Sequence, residues 1–192
     1  MEQIRSFIAI ELPDELKREL TRLEARLKSG EASGMRWVDP ESIHLTLRFL
    51  GDIAADRVGE ITRAMEEAAQ TVPSFRLEVK DLGVFPSLKR VQVAWVGLSG
   101  EIDKLVQLQQ RIESNLEGLG FAAEERAFTP HLTLGRVRNQ ASFDERQRLG
   151  QLIAGTKFEG SSLTVDTINL MKSQLTSQGP IYSRISIVQL RK

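Results

Sequence analysis

The only two histidines of this chain, His44 and His131, each begin the same tetrapeptide, His-Leu-Thr-Leu. At ordinary abundances of leucine and threonine, a second histidine would be followed by these three residues by chance roughly once in two thousand cases. The copies span His44–Leu47 and His131–Leu134 and lie 87 positions apart (131 − 44). The repetition indicates an internal duplication, so both copies are predicted to adopt the same local structure.

In both copies a polar residue alternates with leucine, which is the period of a β-strand. Histidine and threonine therefore share one face of the strand, about 7 Å apart, and the leucines share the other. Strands are predicted over Ile43–Leu50 and Pro130–Val137. The predicted core residues of the two copies are Leu45, Leu47, Leu132 and Leu134. The predicted polar faces carry His44 with Thr46, and His131 with Thr133.

The rest of the sequence predicts strands that alternate with amphipathic helices. Other predicted strands are Ser6–Glu11, Met35–Val38, a hairpin of Phe75–Val84 with Arg90–Gly97, and two strand-rich stretches, Phe158–Leu175 and Tyr182–Leu190. Helices are predicted from Asp14 to near Gly30 and over Ala55–Ala69, Glu101–Leu119 and Asp144–Ala154. Two repeats are too few for a solenoid, so we expect one two-lobed α+β domain over residues 1–192.

Composition limits the classes of function. The 192 residues include 26 basic and 26 acidic side chains, so no overall field would hold a long polyanion, and small or terminal substrates fit better. There is no cysteine, which excludes disulfides and thiolate metal sites and suits a reducing compartment. The sequence contains no apolar run of membrane-spanning length, and we expect no signal peptide. We expect a cytoplasmic monomer without membrane contact.

A pair of imidazoles can divide one reaction between a proton acceptor and a proton donor, because imidazole titrates near neutral pH. At a strained cyclic phosphate, a neutral histidine accepts a proton from the attacking water and a protonated one donates to the leaving alkoxide. Threonine hydroxyls can hold the non-bridging oxygens. In-line displacement places nucleophile and leaving group on opposite sides of phosphorus, so the histidines are expected on opposing lobes.

Other interpretations of the repeat remain open. An isolated histidine on a strand is more often a structural residue than a catalytic one. A structural duplication, however, has no special need to keep histidine and threonine on the polar face. Two imidazoles with no cysteine, no His-Glu-x-x-His helix and no adjacent acidic cluster are a thin ligand set, so we expect no metal and no cofactor. A non-catalytic module that clamps an RNA end or a phosphate would use the same residues.

The sequence resembles the 2H phosphoesterases, and within them the RNA 2′,3′-cyclic phosphodiesterases, also called 2′-5′ RNA ligases. Besides the two repeats, the resemblance rests on Arg5–Pro13, Arg36–Val38, Ile43–Gly51, Phe85–Ser87 and Phe128–Arg136, and it covers nearly the whole chain. The family implies a bilobal pseudo-twofold fold, in which two antiparallel sheets line a central cleft and the helices lie outside.

The resemblance also implies an activity, which is metal-independent opening of an RNA 2′,3′-cyclic phosphate to a 2′-phosphate. By the family pattern His44 is the proton donor to the 3′ oxygen and His131 the proton acceptor from water, although the sequence by itself does not orient the pair. The same site could run in reverse and form a 2′-5′ bond. Small cyclic nucleotides, another cyclic phosphate or a 2′-5′ oligonucleotide are alternative substrates.

Several other residues are weaker candidates. Arg136 ends the second repeat and is predicted to bind phosphate, and Arg48 is placed at the related position of the first, although an arginine at a strand end is usually a solvated charge. Candidates for stacking on a base are Phe49, Phe85 and Tyr182, with core packing favoured for the phenylalanines. Candidates for guiding an RNA backbone are Lys89, Arg90 and Lys172, which could equally serve solubility.

Overall fold

A computed structural model describes residues 2–30 and 34–192. This part of the chain forms an α+β fold of nine strands and four α-helices. In chain order the elements are β1 (Gln3–Glu11), α1 (Asp14–Ser29), β2 (Met35–Trp37), β3 (His44–Ala54), α2 (Val58–Ala69), β4 (Phe75–Phe85), β5 (Val93–Gly100), α3 (Ile102–Gly118), β6 (Leu132–Val137), α4 (Phe143–Gly155), β7 (Glu159–Val165), β8 (Thr167–Thr176) and β9 (Gly179–Gln189). Two 3₁₀ turns, Pro40–Ser42 and Ala55–Arg57, flank β3.

The element order follows the predicted one, and the predicted hairpin is confirmed as the antiparallel pair β4 and β5. The predicted end of the first histidine strand at Leu50 is wrong, because β3 continues to Ala54. The extension is held by β1, whose Gln3 pairs with Ala54. Gly51 lies in this run at φ 72°, a backbone conformation that favours glycine, so the strand bends there without ending.

Two antiparallel sheets contain all nine strands. The His44 sheet has the order β3-β1-β8-β9, and the His131 sheet has the order β2-β6-β5-β4-β7. When each sheet is read from its histidine strand, the order β3-β1-β8-β9 corresponds to the order β6-β5-β4-β7. Each histidine strand pairs with a strand that leads into a helix (β1 into α1, β5 into α3), and each is itself followed by a helix. The topology therefore repeats the duplication seen in the sequence.

Strand β2 connects the two sheets. It precedes β3 in the chain but pairs with β6 in the other sheet, with Met35 opposite Val137 and Trp37 opposite Gly135. The backbone N–H of Val38 then donates to the carbonyl of Leu134 at 2.8 Å. Residues 38–43 are all that separates this pairing from the start of β3. The two histidine strands are therefore held in a fixed relation.

The leucines of both repeats lie in the core, as predicted. Leu45 and Leu47 are buried on β3, and Leu132 and Leu134 on β6. They belong to one continuous apolar cluster that includes the buried stripe of α1, namely Leu16, Leu20, Leu23 and Leu27. The opposite face of each histidine strand is thereby left for polar side chains, and we call it the site face.

A β-bulge occurs at the same position in both repeats. On β3, Thr46 pairs with Ala9 and Arg48 with the adjacent Ile8, so Leu47 is the extra residue. On β6, Thr133 pairs with Trp95 and Gly135 with the adjacent Ala94, so Leu134 is the extra residue. An extra residue reverses the alternation of faces beyond it.

The bulge changes which residues face the site. Arg48 and Gly135, four residues after each histidine, are buried, whereas Phe49 and Arg136, five residues after, are exposed. Arg48 is therefore the counterpart of Gly135, and the placement of Arg48 at the position related to Arg136 is wrong. The counterpart of Arg136 is Phe49.

Replacing Gly135 with alanine is expected to destabilise the fold. An added Cβ would lie 2.7 Å from the Cε atom of Met35 and 2.8 Å from the carbonyl oxygen of Arg36, and the paired backbone cannot yield. We expect the Gly135→Ala variant to lose about 1–3 kcal/mol of unfolding free energy, measured by urea denaturation.

Gly59→Ala is the matched control, since nothing lies within 4 Å of its added Cβ on α2. The control should be neutral or gain up to about 1 kcal/mol from helix propensity. Equal unfolding free energies for the two variants would contradict the close approach of β2 to β6.

Candidate active site

Both imidazoles are anchored in the same way. Nδ1 of His44 lies 2.8 Å from the carbonyl oxygen of Ser42, and Nδ1 of His131 lies 2.7 Å from that of Thr129. A carbonyl can only accept a hydrogen bond, so Nδ1 carries the proton in both rings. Nε2 is then the atom that can exchange a proton, accepting from a donor when the ring is neutral and donating when it is charged.

The anchoring carbonyls lie two residues before each histidine, and a proline-containing segment places each of them. Ser42 ends the 3₁₀ turn that starts at Pro40, and the Asp39 side chain accepts from the N–H of Glu41 at 3.0 Å to fix this turn. Thr129 is followed directly by Pro130. Sequence reasoning missed these carbonyls, although the proline before each repeat was the available signal.

Aromatic rings pack against His44. Phe7 on β1 stacks on the imidazole at 4.7 Å between ring centroids, and Tyr182 on β9 meets it edge-on at 5.1 Å. Phe7, Ala9 and Met171 form a small apolar cluster with Tyr182 packed against it, separate from the main core. Tyr182 is thus a neighbour of the candidate catalytic ring, although it lies 138 positions later in the chain (182 − 44).

The ring of His131 has a different neighbour. Phe85 on β4 meets it edge-on at 5.1 Å between ring centroids, and Phe85 in turn lies 5.2 Å from Trp95. Phe85 is therefore engaged with the imidazole, as Tyr182 is with His44. Two of the candidates for stacking on a base thus pack against the histidines. Tyr182 packs against His44 in one sheet, and Phe85 packs against His131 in the other.

Burial lowers the pKa of His44 from its usual value of 6.5. The hydrogen bond to the Ser42 carbonyl and the negative charge of Glu11 oppose this shift without cancelling it. Glu11 pairs with His44 in the β1–β3 register and accepts a hydrogen bond from Nε of Arg184 at 2.7 Å. At pH 7 the free protein therefore holds His44 mainly in the neutral form.

Thr46 and Thr133 lie on the site faces, half-buried, two residues after their histidines. Neither hydroxyl forms a hydrogen bond within residues 2–30 and 34–192. Both are therefore available to a ligand. The structure places His44 and Thr46 on one face of β3, and His131, Thr133 and Arg136 on one face of β6, as the alternation and the bulge require.

The positive charge of Arg136 on β6 acts on Tyr182 of the other sheet. Strands β3 and β6 are in contact. Burial raises the pKa of the Tyr182 hydroxyl, and the positive charges of Arg136 and Arg5 act in the opposite direction. Since Tyr182 touches His44, the charge of Arg136 reaches from the His131 strand toward the neighbourhood of His44. One small anion could therefore be addressed from both sheets.

Arg48 does not point to the site. It is 9% exposed, forms ion pairs with Glu113 at 3.3 Å and Glu124 at 3.0 Å, and donates to the carbonyl of Ala122. The expectations of phosphate contact and of a solvated charge are both wrong. Arg48 instead fastens the segment between α3 and His131 onto β3.

The remaining candidates are dispersed. Phe49 is 63% exposed beside Phe7, so the expectation of core packing is wrong for this residue. Lys89 and Arg90 are exposed on the loop between β4 and β5. Lys172 is half-buried on β8, opposite Ser6 of β1.

Within the described ranges no group of three or more histidine, cysteine, aspartate or glutamate side chains is arranged to hold a metal ion. In the same ranges no helix combines the length and the apolar character needed to span a bilayer.

Two antiparallel sheets, each presenting a His-x-Thr pair and related by an internal duplication, define a two-histidine phosphoesterase fold. The sequence model of the family described as LigT like Phosphoesterase matches residues 10–95 and again residues 96–182. The chain belongs to this family. The boundary between the two matches falls between the repeats, which agrees with the duplication.

Similar proteins support the assignment over the full length. The chain is 30% identical to an RNA 2′,3′-cyclic phosphodiesterase of Methanothermobacter thermautotrophicus, covering 98% of this chain and 100% of that one. It is 34% identical to the enzyme of the same name from Thermotoga maritima, covering 93% and 91%. The crystal structure of E. coli LigT complexed with 3′-AMP matches with a TM-score of 0.78 and 25% identity, covering all of both chains.

The anchoring of the rings predicts their nitrogen spectra. Imidazole ¹⁵N resonances at pH 8 should show the Nδ1–H tautomer for both histidines, and His44 should titrate below pH 6.5 because burial disfavours its charged form. His131→Gln assigns the signals, as only two histidines are present. The Nε2–H tautomer in either ring, or titration of His44 above pH 6.5, would contradict the described geometry.

Proposed function

We propose that this phosphoesterase opens the 2′,3′-cyclic phosphate at RNA ends to leave a 2′-phosphate, without a metal or other cofactor. The observation that carries the proposal is the matched anchoring of two imidazoles, which leaves one Nε2 from each sheet for proton transfer. The family membership and the names of the relatives support the same substrate.

The reaction is an in-line displacement at phosphorus. Nε2 of His131 accepts a proton from water as the water oxygen bonds to phosphorus. The bond from phosphorus to the 3′ oxygen breaks, and Nε2–H of His44 donates its proton to that oxygen. The 2′ ester remains. Because the nucleophile and the leaving group lie on opposite sides of phosphorus, acid and base come from different sheets.

The non-bridging phosphate oxygens gain negative charge character that the site can stabilise. Thr46 and Thr133 supply one hydroxyl from each repeat, and neither is engaged elsewhere in the described chain. Arg136 adds a positive charge on the site face of β6. These groups are in place before the reaction, which is the arrangement that lowers a barrier most effectively.

The donor role of His44 requires a proton that burial disfavours in the free protein. An anionic phosphate beside the ring favours the charged imidazolium and raises its pKa. Substrate binding therefore favours the protonated form of His44 that the donor role requires. The same displacement with a 5′-hydroxyl in place of water would form a 2′-5′ bond, with the 5′ oxygen bonding to phosphorus as the bond to the 3′ oxygen breaks, and hydrolysis dominates in water.

We place this activity in a cytoplasmic monomer in which residues 1–192 form a single two-lobed domain. The apolar cluster shared by both sheets and the pairing of β2 with β6 support one domain. The absence of cysteine from the sequence supports a reducing compartment.

Turnover of a nucleoside 2′,3′-cyclic phosphate in EDTA tests the activity. We expect a 2′-phosphate product, identified by ³¹P NMR, and a bell-shaped pH dependence of kcat/KM. His44→Ala and His131→Ala should each lower kcat by roughly 10²–10⁴-fold. Thr46→Val and Thr133→Val should each lower it by roughly 10²-fold.

Thr164→Val on β7, an exposed strand threonine at the far edge of the His131 sheet, is the matched control and should retain wild-type turnover. Tight binding of the cyclic phosphate without any turnover would overturn the enzyme and favour a phosphate clamp. A 3′-phosphate product would overturn the assignment of the leaving oxygen.

Binding of the product tests the source of the donor's proton. A nucleoside 2′-phosphate should raise the pKa of His44, followed through its imidazole resonances, because the phosphate charge stabilises the imidazolium. The corresponding nucleoside without phosphate is the control and should leave that pKa unchanged. An unchanged pKa with the 2′-phosphate bound would show that His44 does not face the phosphate.

A further inference from the structure

A groove of about 550 Å³ opens beside Arg136. Its walls come from the loop between β4 and β5, the adjoining ends of β5 and β6, and the first turns of α4. This volume is within the range of about 300–1,000 Å³ that is typical of ligand sites. Because Arg136 also lies on the site face, the groove begins at the edge of the proposed phosphate site.

Positive charge dominates this groove. Lys89, Arg90, Arg136 and Arg146 line it, and no aspartate or glutamate among the described residues does. Within the described ranges none of these four cations forms an ion pair with a carboxylate, whereas Arg48, Arg57 and Arg184 each do. The chain as a whole is neutral, with 26 basic and 26 acidic residues. The groove is therefore a local concentration of unneutralised charge, which suits a phosphodiester backbone.

Arg146, one of the four cations, holds the wall of the groove together by hydrogen bonds. The guanidinium of Arg146 donates to the carbonyls of Val91 at 2.7 Å, Arg138 at 3.2 Å and Ala141 at 3.3 Å. These bonds join α4 to the segments next to β5 and β6. Since carbonyls do not neutralise a guanidinium, its charge remains available to the groove, and Lys89, Arg90 and Arg136 are left to contact a ligand.

An exposed aromatic ring completes the groove. Phe143 is 61% exposed and is the first residue of α4. The capping box of Ser142 and Glu145 fixes the backbone of this turn, with the Ser142 N–H donating to Glu145 at 2.7 Å. An exposed aromatic ring on a fixed backbone beside cations is the usual arrangement for holding single-stranded nucleic acid, in which each base can stack whatever its identity.

We propose that this groove is a subsite for the nucleotide that precedes the cyclic end, so that the enzyme selects RNA chains over mononucleotides. Lys89 and Arg90 bind the phosphodiester on the 5′ side of the terminal nucleoside, and the Phe143 ring stacks on the preceding base. Arg136 lies where the two sites join. The subsite rests on the proposed function, because it assigns a direction to the RNA chain that leads into the catalytic site.

Two substrates separate the subsite from the catalytic site. They are a nucleoside 2′,3′-cyclic phosphate and a trinucleotide that ends in the same cyclic nucleoside. Wild-type kcat/KM should be at least about tenfold higher for the trinucleotide. In the Lys89→Ala/Arg90→Ala double variant, the ratio of the two kcat/KM values should fall about tenfold. Phe143→Ala should lower the ratio, and Phe143→Trp should preserve it.

Arg18→Ala/Arg22→Ala is the matched control, since both arginines are exposed on α1, which contributes nothing to the groove. This control should keep the wild-type ratio. A wild-type ratio near one, or a ratio unchanged in the Lys89/Arg90 variant, would overturn the subsite. If the Lys89→Ala/Arg90→Ala variant fails to fold, judged by thermal unfolding, Lys89→Gln/Arg90→Gln replaces it with the same expectation of a lowered ratio.

Binding distinguishes failure of the subsite from failure of the proposed function. If wild type turns over neither substrate, the proposed function is wrong, and the subsite is judged by the anisotropy of a labelled trinucleotide carrying a 2′-phosphate. The slope of log affinity against log salt should become shallower by about 0.7 in the Lys89/Arg90 variant, the change expected for losing one neutralised phosphate of a single strand. An unchanged slope would overturn the subsite whatever the activity.

Discussion

A hydrogen bond from Nδ1 of each histidine to the carbonyl two residues earlier determines what this site can do. It fixes the tautomer and turns the same nitrogen, Nε2, toward the reaction in both halves of the molecule. Without it either ring could rotate about its side-chain bonds and present the wrong nitrogen. Because the bond uses only backbone oxygens next to proline-containing turns, it was duplicated together with the strand and did not require a second side chain.

Two independent sets of contacts then hold the histidine strands, and with them the anchored rings, in one arrangement. Strand β2 pairs with β6 and leads within six residues into β3, and Arg48 on β3 fastens the segment that approaches His131 from α3. The halves are nevertheless unequal. His44 is enclosed by Phe7 and Tyr182, which lowers its pKa, and Phe49 stands where the other half has Arg136. An unequal pair suits a reaction that needs one acid and one base.

The sequence predicted the features that depend on local patterns. The period-two alternation placed His44, Thr46 and the leucines correctly, because a strand with one buried face repeats every two residues. The bulge at Leu47 could not be foreseen, since it appears only when β3 pairs with β1, and it reversed the predicted faces of Arg48 and Phe49. Tyr182 reaches His44 only through the pairing of distant strands, which no short-range pattern records.

Both imidazoles act on one phosphorus atom in the proposed reaction, and a crystal structure with a nucleoside vanadate tests this most directly. Vanadate bound to the 2′ and 3′ oxygens mimics the five-coordinate state of phosphoryl transfer. We expect Nε2 of His131 and Nε2 of His44 each within about 3 Å of oxygens on opposite sides of the same vanadium. A complex in which only one imidazole contacts the vanadate oxygens, or in which both contact the same side, would contradict it.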